Sequence, residues 1–170
     1  LWPQLSRRLR RDGAVQLAYA EALRRAGRHD AAQERLAELL RDTWPAAAIE
    51  LFGHYAGDDP QRWLTQAEQW LADHADDPTL LLAAGRLAGR AGQWAKARAY
   101  LDSSLLLAPT AQAHLELAQL LEQMGLAADA AEHYRAGLRV AVSASTQAPA
   151  ALTGRAAAAD DRIHLLPHEA

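Results

Sequence analysis

The sequence predicts an all-α protein in which helical pairs stack side by side as a solenoid, and three observations support this fold class. Alanine and leucine supply 41 and 28 of the 170 residues, whereas valine and isoleucine supply only 3 and 2, so strand formers are nearly absent. Glycines recur after stretches whose apolar residues have helical spacing. Gly92 and Gly125 lie 33 residues apart, and Gly27 and Gly92 lie 65 residues apart, close to twice that distance, which indicates a repeat.

Helix starts and ends can be read from capping residues. Asp59-Pro60 and Asp77-Pro78 each place a capping aspartate before a proline at the first helical position, where the missing N–H costs nothing. The other capping candidates are Asp12, Thr43 and Thr110, and the candidates for helix ends are Gly27, Gly57, Gly92 and Gly125. These signals predict eight helices, over residues 13–26, 28–42, 44–55, 59–74, 78–91, 93–107, 110–124 and 126–141.

The repeat extends beyond the glycines. Gly92 is followed by Ala97 after five residues and by Leu101 after nine, and seven residues before it stands Gly85. Gly27 and Gly125 have small and large apolar residues at the same offsets, namely Ala20, Ala32, Leu36, Ala118, Ala130 and Tyr134. This pattern resembles the tetratricopeptide repeat (TPR), in which small residues let two antiparallel helices approach closely. The resemblance implies a right-handed solenoid of about four helix-turn-helix repeats.

The predicted organisation has three parts. A remnant helix of an upstream region occupies residues 1–11, and the four TPR-like pairs cover residues 12–42, 43–75, 77–108 and 110–142. In the second pair Ala67 and Leu71 lie ten and fourteen residues after Gly57, so we expect extra residues in its turn. Residues 143–170 have linker composition at first, and we expect either a capping helix or a disordered tail there.

The sequence lacks the motifs of several classes of functional site. Without cysteine the chain has no disulfide, thiolate metal site or iron–sulfur cluster. It has no nucleophile elbow, phosphate-binding loop or metalloprotease motif, and no two histidines lie four residues apart within a predicted helix. A net charge of −3 gives no case for nucleic acid binding. We therefore predict a protein that is not an enzyme, with no catalytic residue, metal site or cofactor.

The inner surface of the stack is the candidate binding site, because the first helix of each pair lines a concave groove in such solenoids. The repeat register places four leucines there, namely Leu17, Leu51, Leu82 and Leu115. The candidate partner-binding residues are Glu21, Arg24, Arg25, His54, Tyr55, Arg86, Arg90, Gln119 and Glu122. The four arginines form a stripe that suits carboxylates, whether of a peptide C-terminus, of acidic side chains or of porphyrin propionates. The alternative is a solvated helix face that binds nothing.

Two further groups of residues have a structural and a functional interpretation. The basic run Arg7, Arg8, Arg10 and Arg11 suits an acidic partner or an anionic membrane surface, or is a plain solvated face. The tryptophans at positions 2, 44, 63, 70 and 94 are predicted to fill the space between repeats, with a binding platform as the alternative.

One bacterial family carries closely similar segments. Residues 80–87, 92–101, 108–110 and 115–122, together with 58–60, 67–71, 19–23 and 27–30, resemble the C-terminal repeat region of HemY. The resemblance covers about residues 12–142 and concerns the TPR protein of that name. It does not concern the flavin-dependent protoporphyrinogen oxidase that shares the name.

The resemblance to HemY implies a non-enzymatic scaffold associated with late haem (porphyrin) biosynthesis. Its groove would bind a protein or peptide segment, such as part of a haem-pathway enzyme. An upstream segment would hold the full protein in the bacterial inner membrane, with the repeats in the cytoplasm and the present chain itself soluble. Two alternatives stay open. One is a tetrapyrrole-binding protein with His54 or Tyr55 as an axial ligand, and the other is a general TPR adaptor of envelope biogenesis.

Overall fold

The computed structural model describes residues 6–55 and 57–147, and within these ranges the chain forms nine α-helices and no strand. The helices are α1 (Arg7–Arg11), α2 (Gly13–Arg25), α3 (His29–Asp42), α4 (Ala46–His54), α5 (Pro60–Leu71), α6 (Pro78–Arg90), α7 (Trp94–Leu107), α8 (Ala111–Gln123) and α9 (Ala127–Gln147). All eight helices predicted between residues 13 and 141 are present. None of the described helices combines the length and apolar character needed to span a bilayer.

Side chains cap most helix starts. Four of the five predicted capping residues accept a hydrogen bond from a backbone N–H two or three residues later, namely Asp12, Asp59, Asp77 and Thr110. The prediction for Thr43 was wrong, because its hydroxyl donates to the carbonyl of Leu39 and ends α3. The next helix starts only at Ala46, after Pro45. A residue that precedes proline is disfavoured in the α region, which explains why Trp44 is not helical.

Three of the four predicted helix ends have the expected glycine geometry. Gly27, Gly92 and Gly125 have φ of 72°, 73° and 78°, and the N–H of the residue after each glycine donates to a carbonyl five residues back. Gly57 also has a positive φ, of 59°, but α4 has already ended at His54. The turn of the second pair is therefore two residues longer than the three-residue turns of the other pairs, as its spacing predicts.

Small residues bring the two helices of a pair together. A Cβ atom added to Gly85 on α6 would lie 2.7 Å from Cγ of Leu101 on α7, which shows how closely these helices pack. The matching alanines are at most 1% exposed, as the repeat pattern predicts: Ala20, Ala32, Ala97, Ala118 and Ala130.

The second pair packs differently from the others. The backbones of α4 and α5 approach each other less closely than those of the other pairs, and both helices pack against α6. Aromatic rings occupy the wider space: the ring of Phe52 lies 4.9 Å from that of Trp70 and 5.9 Å from that of Trp63. Trp44 lies 5.6 Å from Trp70 and stacks on His74 at 3.9 Å. Three of the predicted tryptophan fillers are therefore confirmed as such.

α4 lies directly against α6. A Cβ atom added to Gly53 would lie 2.5 Å from Cα of Ala83, so the two backbones touch at this point. The last carbonyls of this short helix have no partner within it, and side chains from other helices provide one. Nε2 of Gln33 donates to the carbonyl of Phe52 at 2.9 Å, and Nη1 of Arg90 donates to the carbonyl of Gly53 at 2.8 Å.

The last described helix is longer than predicted. α9 continues to Gln147, so residues 143–147 belong to the helix and not to the linker that their composition predicts. The hydroxyls of Ser143 and Thr146 donate to the carbonyls of Arg139 and Val142, four residues earlier. Because these hydroxyls bond within the helix, they do not interrupt it.

Some sequence predictions concern residues 1–5 and 148–170, which lie outside the described residues. They include Trp2, the first part of the remnant helix, and the choice between a capping helix and a tail. Within residues 1–11, where the sequence predicts a helix, the structure describes α1 (Arg7–Arg11).

We expect Gly53→Ala to lower the free energy of unfolding by about 1–3 kcal/mol, because the added methyl group meets the backbone of α6. Gly89→Ala is the matched control: its Cβ atom would meet only the methyl group of Ala97, at 3.9 Å. Replacing a helical glycine in open space should raise the free energy of unfolding by up to about 1 kcal/mol. Thermal and urea unfolding of the two variants measures the difference, and equal shifts would contradict the close α4–α6 contact.

Candidate interaction groove

A cavity of about 640 Å³ lies between α4, α6 and the turn from α7 to α8, and we call it the α4–α6 groove. Apolar surface predominates in its lining, which includes Leu51, Pro78, Leu82 and Ala108. Its polar lining includes Glu50, His54, Tyr55, Thr79, Arg86 and Ser104. The groove thus brings together three of the nine candidate site residues, namely His54, Tyr55 and Arg86, with two of the leucines that the register places on the inner face.

Arg86 is held inside the protein. Its side chain is only 5% exposed, and Nε donates to Oε1 of Glu116 on α8 at 2.8 Å. The same carboxylate oxygen accepts a hydrogen bond from Nε2 of Gln112 at 3.1 Å. The guanidinium group of Arg86 therefore connects α6 to α8, and a carboxylate of this chain offsets its charge.

Arg90 acts as a helix cap. Its guanidinium group donates to the carbonyl of Gly53 at the end of α4, where helix carbonyls carry partial negative charge. Burial lowers the pKa of Arg90, although an arginine keeps its charge at any physiological pH. The second arginine of α6 thus also has its partner within the protein.

Three other candidate residues, Glu21, Arg24 and Arg25, form one cluster with Tyr55 at the N-terminal side of the groove. The carboxylate of Glu21 accepts hydrogen bonds from Arg24 at 2.9 and 3.2 Å, from Arg25 at 3.1 Å and from the hydroxyl of Tyr55. The guanidinium carbon of Arg24 lies 5.1 Å from the centre of the Tyr55 ring. The hydrogen bonds from Arg24 and Tyr55 hold the pKa of Glu21 at about 2. This cluster joins α2 to the end of α4.

The candidate residues of α8 face different surroundings. Gln119 lines a crevice of about 400 Å³ between α6, α7 and α8, together with the two arginines of α6. Trp94 borders the same crevice and is 42% exposed, so it does not fill space between repeats as predicted. Glu122 instead accepts a hydrogen bond from the hydroxyl of Tyr134 on α9 at 2.7 Å.

His54 stands at the rim of the groove. Its side chain is exposed, and its ring lies 5.8 Å from that of Tyr55 in an edge-to-face arrangement. Partial burial of the ring, followed by the positive charges of Arg86 and Arg90, lowers the pKa of His54 below its usual 6.5. Its surroundings therefore favour the uncharged form of His54.

Among residues 6–55 and 57–147 no three histidine, aspartate or glutamate side chains converge to hold a metal ion. Nδ1 of His114 on α8 lies 3.1 Å from Nδ1 of His133 on α9, but these two residues have no third ligand beside them. The contact joins the two helices of the last pair.

Two residues that the sequence analysis did not select contribute to the site. Glu50 lines the groove and lies four residues before His54, on the same face of α4. Glu116 offsets the charge of Arg86 and lies three residues before Gln119, on the same face of α8. Each of the two could have been selected from the sequence, because it lies about one helical turn from a residue that was selected.

We expect the protein to lose stability as the pH falls from about 4.5 to about 2, in part because Glu21 becomes protonated. Its pKa in the folded state is about 2, below the ordinary value of 4.5, so its ionised form stabilises the fold above pH 4.5. Urea unfolding between pH 2 and 6 measures this effect. Glu21→Gln should flatten the pH dependence, whereas Glu132→Gln, which replaces an exposed glutamate of α9, should leave it unchanged. Equal pH profiles for the wild type and Glu21→Gln would contradict the role of the cluster.

Comparison with known proteins gives the fold. No family model and no curated protein sequence matches the chain. Solved structures of MamA are similar to it: a crystal structure of MamA shares 16% identity with a TM-score of 0.58, covering 79% of this chain and 81% of that chain. MamA from residue 41 to its end, from Desulfovibrio magneticus RS-1, shares 18% identity with a TM-score of 0.57, covering 78% and 77%. Together with its helical pairs, this likeness shows that the chain is a TPR-type helical solenoid.

Proposed function

We propose that this chain is a non-enzymatic interaction module that binds a segment of another protein in the α4–α6 groove. One observation carries the proposal: a cavity of about 640 Å³ with mainly apolar lining opens between the first helices of successive pairs. Leu51 is half-buried there, and Leu82 forms part of the floor. Sites with mostly apolar walls and a few polar groups are typical of binding grooves.

The resemblance of residues 12–142 to HemY supports a finer proposal. In it, the partner is an enzyme of haem synthesis, and the full protein is held in the bacterial inner membrane by an upstream segment with its repeats in the cytoplasm. A general adaptor of envelope biogenesis would use the same groove, because one fold serves many functions. The identity of the bound partner distinguishes these two roles.

The tetrapyrrole alternative has less support from the geometry. Arg86 and Arg90, which would hold propionates, already bond to Glu116 and to the carbonyl of Gly53. The hydroxyl of Tyr55 donates to Glu21. A bound porphyrin would have to break these contacts.

A photoreactive amino acid at position 54 of the full-length protein should form a covalent adduct with the partner in living cells. Leu106 provides the control position, because its side chain on α7 is 85% exposed and does not line the groove. We expect an adduct from position 54, none of the same mass from position 106, and identification of the partner by mass spectrometry. Haem-pathway enzymes would support the finer proposal.

Leu51→Gln in the same experiment should reduce the adduct yield by about fivefold or more, because the groove loses one apolar contact with its ligand. Leu106→Gln should leave the yield unchanged. Identical adducts from both crosslinking positions, or a yield that does not respond to Leu51→Gln, would contradict binding in the groove.

Titration of the chain with haem should give no saturable shift of the Soret band at micromolar concentration, because the candidate propionate ligands are engaged. Absorption spectra across the Soret band provide the measurement. A saturable shift that His54→Ala abolishes would overturn this expectation and favour the tetrapyrrole function.

A further inference from the structure

We infer that the segment bound in the α4–α6 groove presents an aliphatic side chain next to a lysine or arginine, and not the carboxylate that the arginine stripe predicts from the sequence. This inference rests on the proposed function, because it specifies the chemistry of the partner at the same groove.

The arginines of the stripe have partners within the protein. Arg86 pairs with Glu116, and Arg90 donates to the carbonyl of Gly53 at the end of α4. Arg24 and Arg25 both bond to Glu21, outside the lining of the groove. Arg86 is the arginine of the stripe that lines the groove, and a partner carboxylate there would have to compete with Glu116 for it.

His54 is a weak source of positive charge in the groove. Partial burial of the ring, followed by the positive charges of Arg86 and Arg90, lowers the pKa of His54 and disfavours its protonated form. At the rim it is available chiefly as a hydrogen-bonding group.

Glu50 supplies the unpaired charge of the groove. Its side chain is exposed and lines the groove, and no hydrogen bond or ion pair engages it within residues 6–55 and 57–147. Among the described lining residues the other charged side chain is Arg86, which is already paired. Charge complementarity therefore favours a cation on the partner beside Glu50.

The apolar lining of the groove favours an aliphatic side chain beside this cation. Leu51 on α4 and Leu82 on α6 lie beside Pro78 and Ala108, and the cavity of about 640 Å³ has room for several side chains. Ser104, the buried hydroxyl in this lining, donates to the carbonyl of Pro78 at 2.8 Å. An aliphatic side chain suits this surface, because it gains burial without leaving a polar group unpaired.

Selection of a random peptide library on the whole chain tests the inference. We expect the recovered peptides to carry Leu, Ile or Val within four positions of Lys or Arg. Fluorescence anisotropy then compares one recovered peptide with a version in which glutamate replaces the basic residue. The original should bind about threefold more tightly, as expected for an exposed charge pair.

Glu50→Lys should reverse this preference, because it replaces the unpaired carboxylate with a cation. Glu132→Lys is the matched control: it makes the same charge change at an exposed glutamate of α9, outside the groove, and should preserve the preference. Both positions are exposed, so neither variant should disturb folding, and circular dichroism checks this.

The outcomes separate the inference from the proposed function. Recovered peptides that are acidic, and whose binding Leu51→Gln weakens, would overturn the inference and leave binding in the groove intact. A charge preference that Glu50→Lys does not alter would also overturn the inference. Failure to recover any peptide whose binding depends on Leu51 would overturn both proposals.

Discussion

The backbone contact between Gly53 on α4 and Ala83 on α6 sets the geometry on which the candidate site depends. No side chain separates the two helices there, since a Cβ atom at position 53 would lie 2.5 Å from Cα of Ala83. Leu51 and Leu82 therefore line one groove from opposite sides. The contact also brings the end of the nine-residue helix α4 within reach of Arg90, which bonds to its carbonyl.

The same contact explains why the second repeat is irregular. Because α4 lies against α6, it stays farther from α5 than the other first helices stay from their partners. The rings of Phe52, Trp63 and Trp70 fill the resulting space, and large aromatic groups are well suited to bury surface across such a gap. The longer turn between α4 and α5 is consistent with this wider spacing. Aromatic packing here replaces the alanine contacts of the other pairs.

Pairing within the protein determines the electrostatic character of the groove. The sequence predicts a basic surface from the four arginines. In the structure Glu116 neutralises Arg86, and Arg90 caps the end of α4. Arg24 and Arg25 both form ion pairs with Glu21, in a separate cluster. The charge that a ligand meets in the groove is thus set by Glu50, a residue that the composition of the stripe does not reveal.

Most of the fold is determined by the sequence alone, because helix propensity, capping and close packing of alanines act over a few residues or recur with the repeat. Asp77 caps α6, Gly92 ends it, and Ala97 is buried, each as predicted. Local rules failed where the outcome depended on distant partners. Only the tertiary structure decided that α4 packs on α6, and that Arg86 meets a carboxylate thirty residues away. Whether a charged side chain is paired depends on the groups that the fold places beside it. Sequence spacing within one helix does not specify contacts between helices.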